Sequence, residues 1–226
     1  MSFTDTAMLI LSTTLTICYL SSSIIFIRAA LIVVQIGYFF LAIHTGLDQP
    51  GMTAILILSI TNSLINGFKI AQYYYENSIL CLPKDLHSLY QDEFHLFSPK
   101  EFKIFFQHAA QEERSGELIS ANQTFKNLMF VLEGSPIIRL KKGKEIQLTK
   151  RVWLGEMSFL RGEVTSADVL TEPSEKVKLL IWSKYDIEEL QEKQPIVIEK
   201  LKYIIANSLA EKIRYSNTLM ESTFFR

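Results

Sequence analysis

The chain has 226 residues, 48% of them hydrophobic, with 23 Lys and Arg against 24 Asp and Glu and a formal net charge of −1. A balance this near neutral argues against a nucleic-acid partner, and two cysteines, Cys18 and Cys81, make neither a disulfide framework nor a zinc site. The averages conceal a division. Arg28 is the one basic residue before Lys69, and all the others lie from Lys69 onward, as in chains that join a membrane part to a water-soluble part.

Crossing the hydrocarbon layer takes about 20 mainly apolar residues per helix. Three runs approach that length, at residues 7–26, 27–44 and 52–71, so a three-helix transmembrane segment is expected over residues 1–75. No basic residue precedes the first run, which argues against a cleaved signal peptide. The turn "HTGLDQPGM" between the second and third runs carries one acid and no Lys or Arg. By the positive-inside rule, the amino terminus and this turn face outward, and residues 76–226 lie in the cytoplasm of a cell with the chain in its inner membrane. Tyr73, Tyr74 and Tyr75 form an aromatic belt where the third helix leaves the lipid. Asn62, Asn66 and Lys69 share one helical face. With Gln35 they make either an ion or proton path or interhelical packing contacts. The absence of an intramembrane carboxylate favours packing.

The remainder, roughly 150 residues, suits one domain with its own core. Ser98, Pro99 and Glu101 form a capping box ahead of Phe102, Phe105 and Phe106, which predicts a helix there. From about Glu112 the pattern changes to short segments of period two: "ELISA", "NLMFVLEG", "PIIRLKKGKEIQL" folding over Gly143, and "KVKLLIW". Strands at this spacing predict a small antiparallel β-roll or jelly roll flanked by helices, an α+β domain. After Pro195, the residues Ile198, Leu201, Ile205, Leu209 and Ile213 make one apolar stripe on a helix over 195–216. Lys and Glu alternating along "EKLKYIIANSLAEKIRY" read as its solvated face.

The stretch "LGEMSFLRGEVTSADV", residues 154–169, reads as strand, short helix, loop and strand. Gly155 permits a tight turn. The first-turn amides of Glu156, Met157 and Ser158 lack intrahelical partners and suit an anion. Glu156 suits paired sugar hydroxyls, and Ser166 and Ala167 offer a hydroxyl and an amide to the same anion. The plain alternative is that Glu156 caps the short helix and Ser166 bonds a strand backbone.

This string resembles the phosphate-binding cassette of cyclic-nucleotide-binding domains of the catabolite activator protein type. Gly155, Glu156, the "MSFL" helix, Ser166, Ala167 and Val169 match the family pattern. Its arginine position falls on Thr165, so the usual positive charge on the phosphate is missing, and Arg161, Lys144 and Arg151 are the candidate replacements. The resemblance implies cyclic AMP or cyclic GMP as ligand, bound by Gly155, Glu156, Met157, Ser158, Thr165, Ser166 and Ala167. A second resemblance covers more of the chain. "IFIRAALIVVQIGYFFL", "SITNSLINGFKIAQYYY" and "LIWSKYDIEELQEKQP", the last with Trp182, Ser183 and Pro195, are similar to Popeye-domain proteins, membrane-anchored binders of cyclic AMP. That family's Asp-Ser-Pro-Glu and Phe-Gln-Val-Thr elements are absent.

Together these readings describe a membrane-anchored sensor whose carboxy-terminal helix passes on the state of the roll. The distal half of that helix, with Leu209, Ile213 and Leu219, is expected to pair with a second copy. The alternative is a nucleotide-independent scaffold or dimerisation module. An enzyme is not expected: His44, His87, His95 and His108 are scattered and assemble no catalytic group. No cofactor and no metal are expected.

Overall fold

The computed structural model describes residues 3–124, 126–140, 145–148, 151–173 and 175–224, with the backbone alone for 213 and 215–224. Gly143, Lys144 and the side chains of Ile213 and Leu219 therefore lie outside the described set. The chain divides into two compact units, Met1–Cys81 and Leu82–Arg226. The break follows Cys81, where the sequence placed it after Tyr75. A short 3-10 turn, Ile79–Cys81, belongs to the first unit, and Cys81 Sγ donates to Glu76 O at 3.3 Å.

The first unit holds helices α1 (Phe3–Cys18), α2 (Ile24–Thr45) and α3 (Met52–Glu76). Here the run expected over 7–26 is broken. Serines in "SSS" bond backbone groups in place of the helix ladder: Ser21 Oγ accepts from Ser23 N, and Ser23 Oγ caps α2 by accepting from Phe26 N. Helix α1 is left with 16 residues, about 24 Å at 1.5 Å per residue, short of the roughly 30 Å hydrocarbon layer. Among the described residues, two helices, α2 and α3, are long and apolar enough to cross a membrane. Val33, Phe40, Leu64 and Phe68 are each more than three-fifths exposed on them.

The polar stripe of α3 packs the unit. Arg28 Nη1 on α2 donates to Asn66 Oδ1 at 3.1 Å, and Asn66 Nδ2 donates to Asn62 O at 2.9 Å. Lys69 lies apart from that contact: its Nζ donates to Gln72 Oε1, and Gln72 Nε2 donates to Glu76 Oε1.

The second unit opens with α4 (His87–Glu93) and α5 (Pro99–Gln107). The predicted capping box is present at α5, with Ser98 Oγ accepting from Glu101 N and Glu101 Oε2 accepting from Ser98 N. Among the described residues eight strands follow: β1 (Ala110–Arg114), β2 (Glu117–Ile119), β3 (Asn127–Glu133), β4 (Ile137–Arg139), β5 (Glu145–Gln147), β6 (Trp153–Leu154), β7 (Asp168–Leu170) and β8 (Val177–Ser183). They form two antiparallel sheets, in the orders β1-β8-β3-β6 and β2-β7-β4-β5. Helix α6 (Glu156–Arg161) interrupts β6 and β7, and α7 (Lys184–Lys193) and α8 (Pro195–Phe224) close the chain. Helix α8 runs past the predicted end at 216.

Strand periodicity explains the layers. Along β3 and β8, Met129, Val131, Leu179 and Ile181 enter the core of the roll. The alternate residues Leu128, Phe130, Leu180 and Trp182 are buried as well. Both faces of this sheet are covered, which is why β3 and β8 read as continuous apolar runs. Around Phe130 and Trp182 gather Phe94, Phe102, Phe105 and Trp153, with ring centroids 4.3–6.0 Å apart. Helix α8 buries Val197, Ile198, Leu201, Ile204 and Ile205.

Two carboxylates record how the helices meet. Burial would raise Glu101, but bonds from Lys200 of α8 and from Ser98 outweigh it, and the carboxyl sits below its ordinary range. Glu93 is raised by burial, with Arg151 opposing and Asp92 and Glu211 adding to it. A raised folded-state value means that the unfolded chain ionises first. Stability is therefore full below the ordinary carboxylate range near pH 4.3 and falls as pH rises through the raised value. Glu93→Gln is expected to raise the thermal midpoint more at pH 7 than at pH 4. An equal shift at both would contradict this.

Candidate functional site

The cassette folds as the residues dictate. Gly155 takes φ 80°, ψ 4°, the left-handed region, and a Cβ there would stand 3.0 Å from Asn127 O. Only glycine combines that turn with so close an approach to β3 without strain. The chain then enters α6 and leaves it at Gly162, also left-handed. Ser158 is buried, and its Oγ donates to Glu163 O, closing the loop on the helix.

All seven residues singled out in the sequence, Gly155, Glu156, Met157, Ser158, Thr165, Ser166 and Ala167, line one cavity of about 160 Å³. Its apolar wall comes from Ile119, Ile138, Leu140, Leu154 and Val169 of the roll, with Trp153 beside them. A mostly apolar hollow with a few convergent polar groups has the composition of a small-molecule site. A second, more polar cavity of about 240 Å³ adjoins it, sharing Ile119, Gly155 and Thr165 and adding Arg114 and Lys126.

The seven residues are not equally available. Ser158 Oγ is committed to Glu163. Thr165, at the arginine position, is a structural staple: its Oγ1 donates to Ser120 O at 2.6 Å and accepts from Gln123 N at 3.0 Å. Its amide donates to Gln123 O, and its carbonyl accepts from Asn122 N. The position that would aim a cation at a phosphate instead ties the cassette to the turn after β2. Ser166 is exposed, and its hydroxyl makes no hydrogen bond among the described residues.

The candidate replacement cations lie elsewhere. Arg161 is exposed and 3.9 Å from Glu163. Arg151 pairs with Asp92 and reaches Ser88 on α4. Neither lines the cavity, and Lys144 is outside the described residues.

One cation does reach the cassette. Lys212 of α8 donates to Glu156 Oε1 at 2.6 Å and to Trp153 O at 2.9 Å. The pair is partly buried, with 29% of the Lys212 side chain and 14% of the Glu156 side chain exposed. The alternating charges on this helix are thus not all a solvated face: Lys212 binds the cassette, and Lys200 binds Glu101 at 2.6 Å. A sequence signal existed. Lys212 follows Leu209 by three residues and so continues the apolar stripe. Among the described residues, no cluster of His, Cys, Asp and Glu is arranged to hold a metal ion.

No family model matches the chain, and no curated protein sequence matches it. Solved structures do. The chain is similar to the c-di-GMP responsive global regulator CLP of Xanthomonas campestris, at 16% identity over 50% of this chain and 58% of that one, with a TM-score of 0.42. It is similar to the catabolite activator protein of Thermus thermophilus, at 22% identity over 58% and 62%, with a TM-score of 0.45. A cyclic nucleotide-binding domain from Methylobacillus flagellatus gives 19% identity over 56% and 74%, with a TM-score of 0.49. The chain spans about three fifths of the length of the first two. All three scores are below 0.5.

Proposed function

We propose that this protein is a membrane-anchored regulatory protein whose second unit binds a cyclic nucleotide, cyclic AMP or cyclic GMP, in the cassette cavity and signals through α8. The observation that carries the reading is the convergence of the seven cassette residues on one apolar-walled cavity, with a carboxylate at Glu156 and an uncommitted hydroxyl at Ser166. The carboxylate suits the ribose 2′-hydroxyl, and Ser166 with the Ala167 amide suits the cyclic phosphate. Anchoring is supported by two helices long and apolar enough to cross a membrane and by the Popeye-like order of apolar helices before a roll. A cytoplasmic second unit and a dimer through the distal half of α8 complete the reading.

A second reading has its own support. With Thr165 in place of an arginine, a cavity of only about 160 Å³ and Lys212 already on Glu156, the same fold serves as a scaffold that needs no nucleotide.

Calorimetric titration of the full chain in lipid nanodiscs with cyclic AMP and cyclic GMP separates the two. Binding is expected, and Glu156→Ala is expected to weaken it at least about 10-fold, the lower end for a hydrogen bond to a charged group. Absence of heat with either nucleotide selects the scaffold, and an unchanged Glu156→Ala titration removes the cassette from the site. Light scattering of the same chain in detergent reads the dimer.

A further inference from the structure

Lys212 holds Glu156, the carboxylate assigned to an external ligand's hydroxyl. Its ammonium has three donors, and two are spent on the cassette, one on Glu156 Oε1 and one on Trp153 O. Both acceptors belong to residues that line the cavity. A carboxylate so little exposed feels an adjacent cation with less screening than a surface pair would. A ribose 2′-hydroxyl that donates to Glu156 competes with Lys212 for that carboxylate.

The lysine also sits at a mechanically distinct place. Helix α8 is anchored along its first half by Val197, Ile198, Leu201, Ile204 and Ile205. Beyond Ile205 no described side chain is buried; Leu209 is half-buried and Lys212 partly so. This stretch meets the cassette through a polar contact that can be exchanged, where the first half is held by apolar burial that cannot.

We infer that Lys212 is a latch, an internal competitor that closes Glu156 to ligand and holds the distal half of α8 on the cassette. Taking the proposed nucleotide reading as its basis, ligand entry and release of that half-helix are one event. The ribose 2′-hydroxyl replaces the ammonium on Glu156, and Lys212, left with Trp153 O alone, no longer holds the helix. The ligand shifts α8 because it binds the unlatched arrangement and not the latched one. The latch also sets selectivity. A cyclic phosphate without a ribose 2′-hydroxyl leaves Lys212 in place and α8 unmoved.

The test uses the full chain in lipid nanodiscs as wild type, Lys212→Met, Glu156→Gln and the double variant. Methionine keeps the length and helix propensity of lysine without its charge. Amide hydrogen exchange over residues 208–220 without nucleotide reads the latch directly. Both single variants are expected to exchange faster there by about 5-fold or more, the lower bound of ordinary coupling between sites. The double variant is expected to add nothing further. With cyclic AMP, Lys212→Met is expected to bind tighter than wild type by a similar factor of about 5, and nucleotide is expected to speed exchange in wild type but not in Lys212→Met. Unchanged exchange in both single variants overturns the latch. So does weaker nucleotide binding by Lys212→Met, which would make Lys212 a ligand contact. If neither wild type nor Lys212→Met binds cyclic AMP or cyclic GMP, the nucleotide reading fails by itself, and the exchange result alone decides the latch.

Discussion

Trp182→Ala is expected to lower the stability of the second unit by about 3–5 kcal/mol, the range for removing a buried large aromatic. Trp182 is fully buried, stacked on Phe105 with centroids 4.3 Å apart and planes at 13°, and 5.7 Å from Trp153. Its Nε1 donates to Phe105 O at 2.9 Å, at the end of α5. The side chain therefore joins β8 to α5 by area and by a directed bond at once. That carbonyl also accepts from His108 N, so the loss comes mainly from the vacated volume. Trp182→Phe keeps most of the volume and is expected to cost less than half as much. The thermal midpoint, read by fluorescence of Trp153, checks both. A loss under about 1 kcal/mol in Trp182→Ala would mean that the aromatic layer does not join the helices to the sheet.

Gly155→Val is the second large effect, expected at about 2–4 kcal/mol. A β-branched residue in the left-handed region costs of order 1–3 kcal/mol, and its Cβ would meet Asn127 O at 3.0 Å. Backbone atoms on both sides of that contact cannot swing away as a side-chain tip would. The strain must relax by moving α6 off β3, which displaces Glu156 and opens or closes the cavity. The variant is therefore expected to lose nucleotide binding and the Lys212 contact together, whereas Glu156→Ala loses both without comparable destabilisation. A folded Gly155→Val chain of wild-type stability would show that the turn does not need glycine.

Much of this was readable beforehand, for local reasons. The capping box at Ser98, the β-roll and the strand–helix–loop–strand order of the cassette all follow from signals a few residues long. Strand β1 was passed over because "AQEER" is mostly exposed and has no apolar alternation. Helix α7 is hidden in the pattern, although Ser183 and Asp186 form a capping box, because the apolar run of β8 leads straight into it. The first apolar run was read as a single span because hydropathy counts serines as mildly tolerable, while their hydroxyls compete for the backbone.

What a chain determines through near neighbours is legible in order alone: the capping box at Ser98, the apolar runs of β3 and β8, the glycine at position 155, and the strand–helix–loop–strand order of "LGEMSFLRGEVTSADV". What depends on remote meetings was decided only by folding. Thr165 is a staple because Ser120 and Gln123 lie against it, and Glu156 is paired by Lys212, 56 residues further along the chain. An ion pair has no sequence periodicity of its own. Only the packing of α8 on the roll brings those two groups within 2.6 Å.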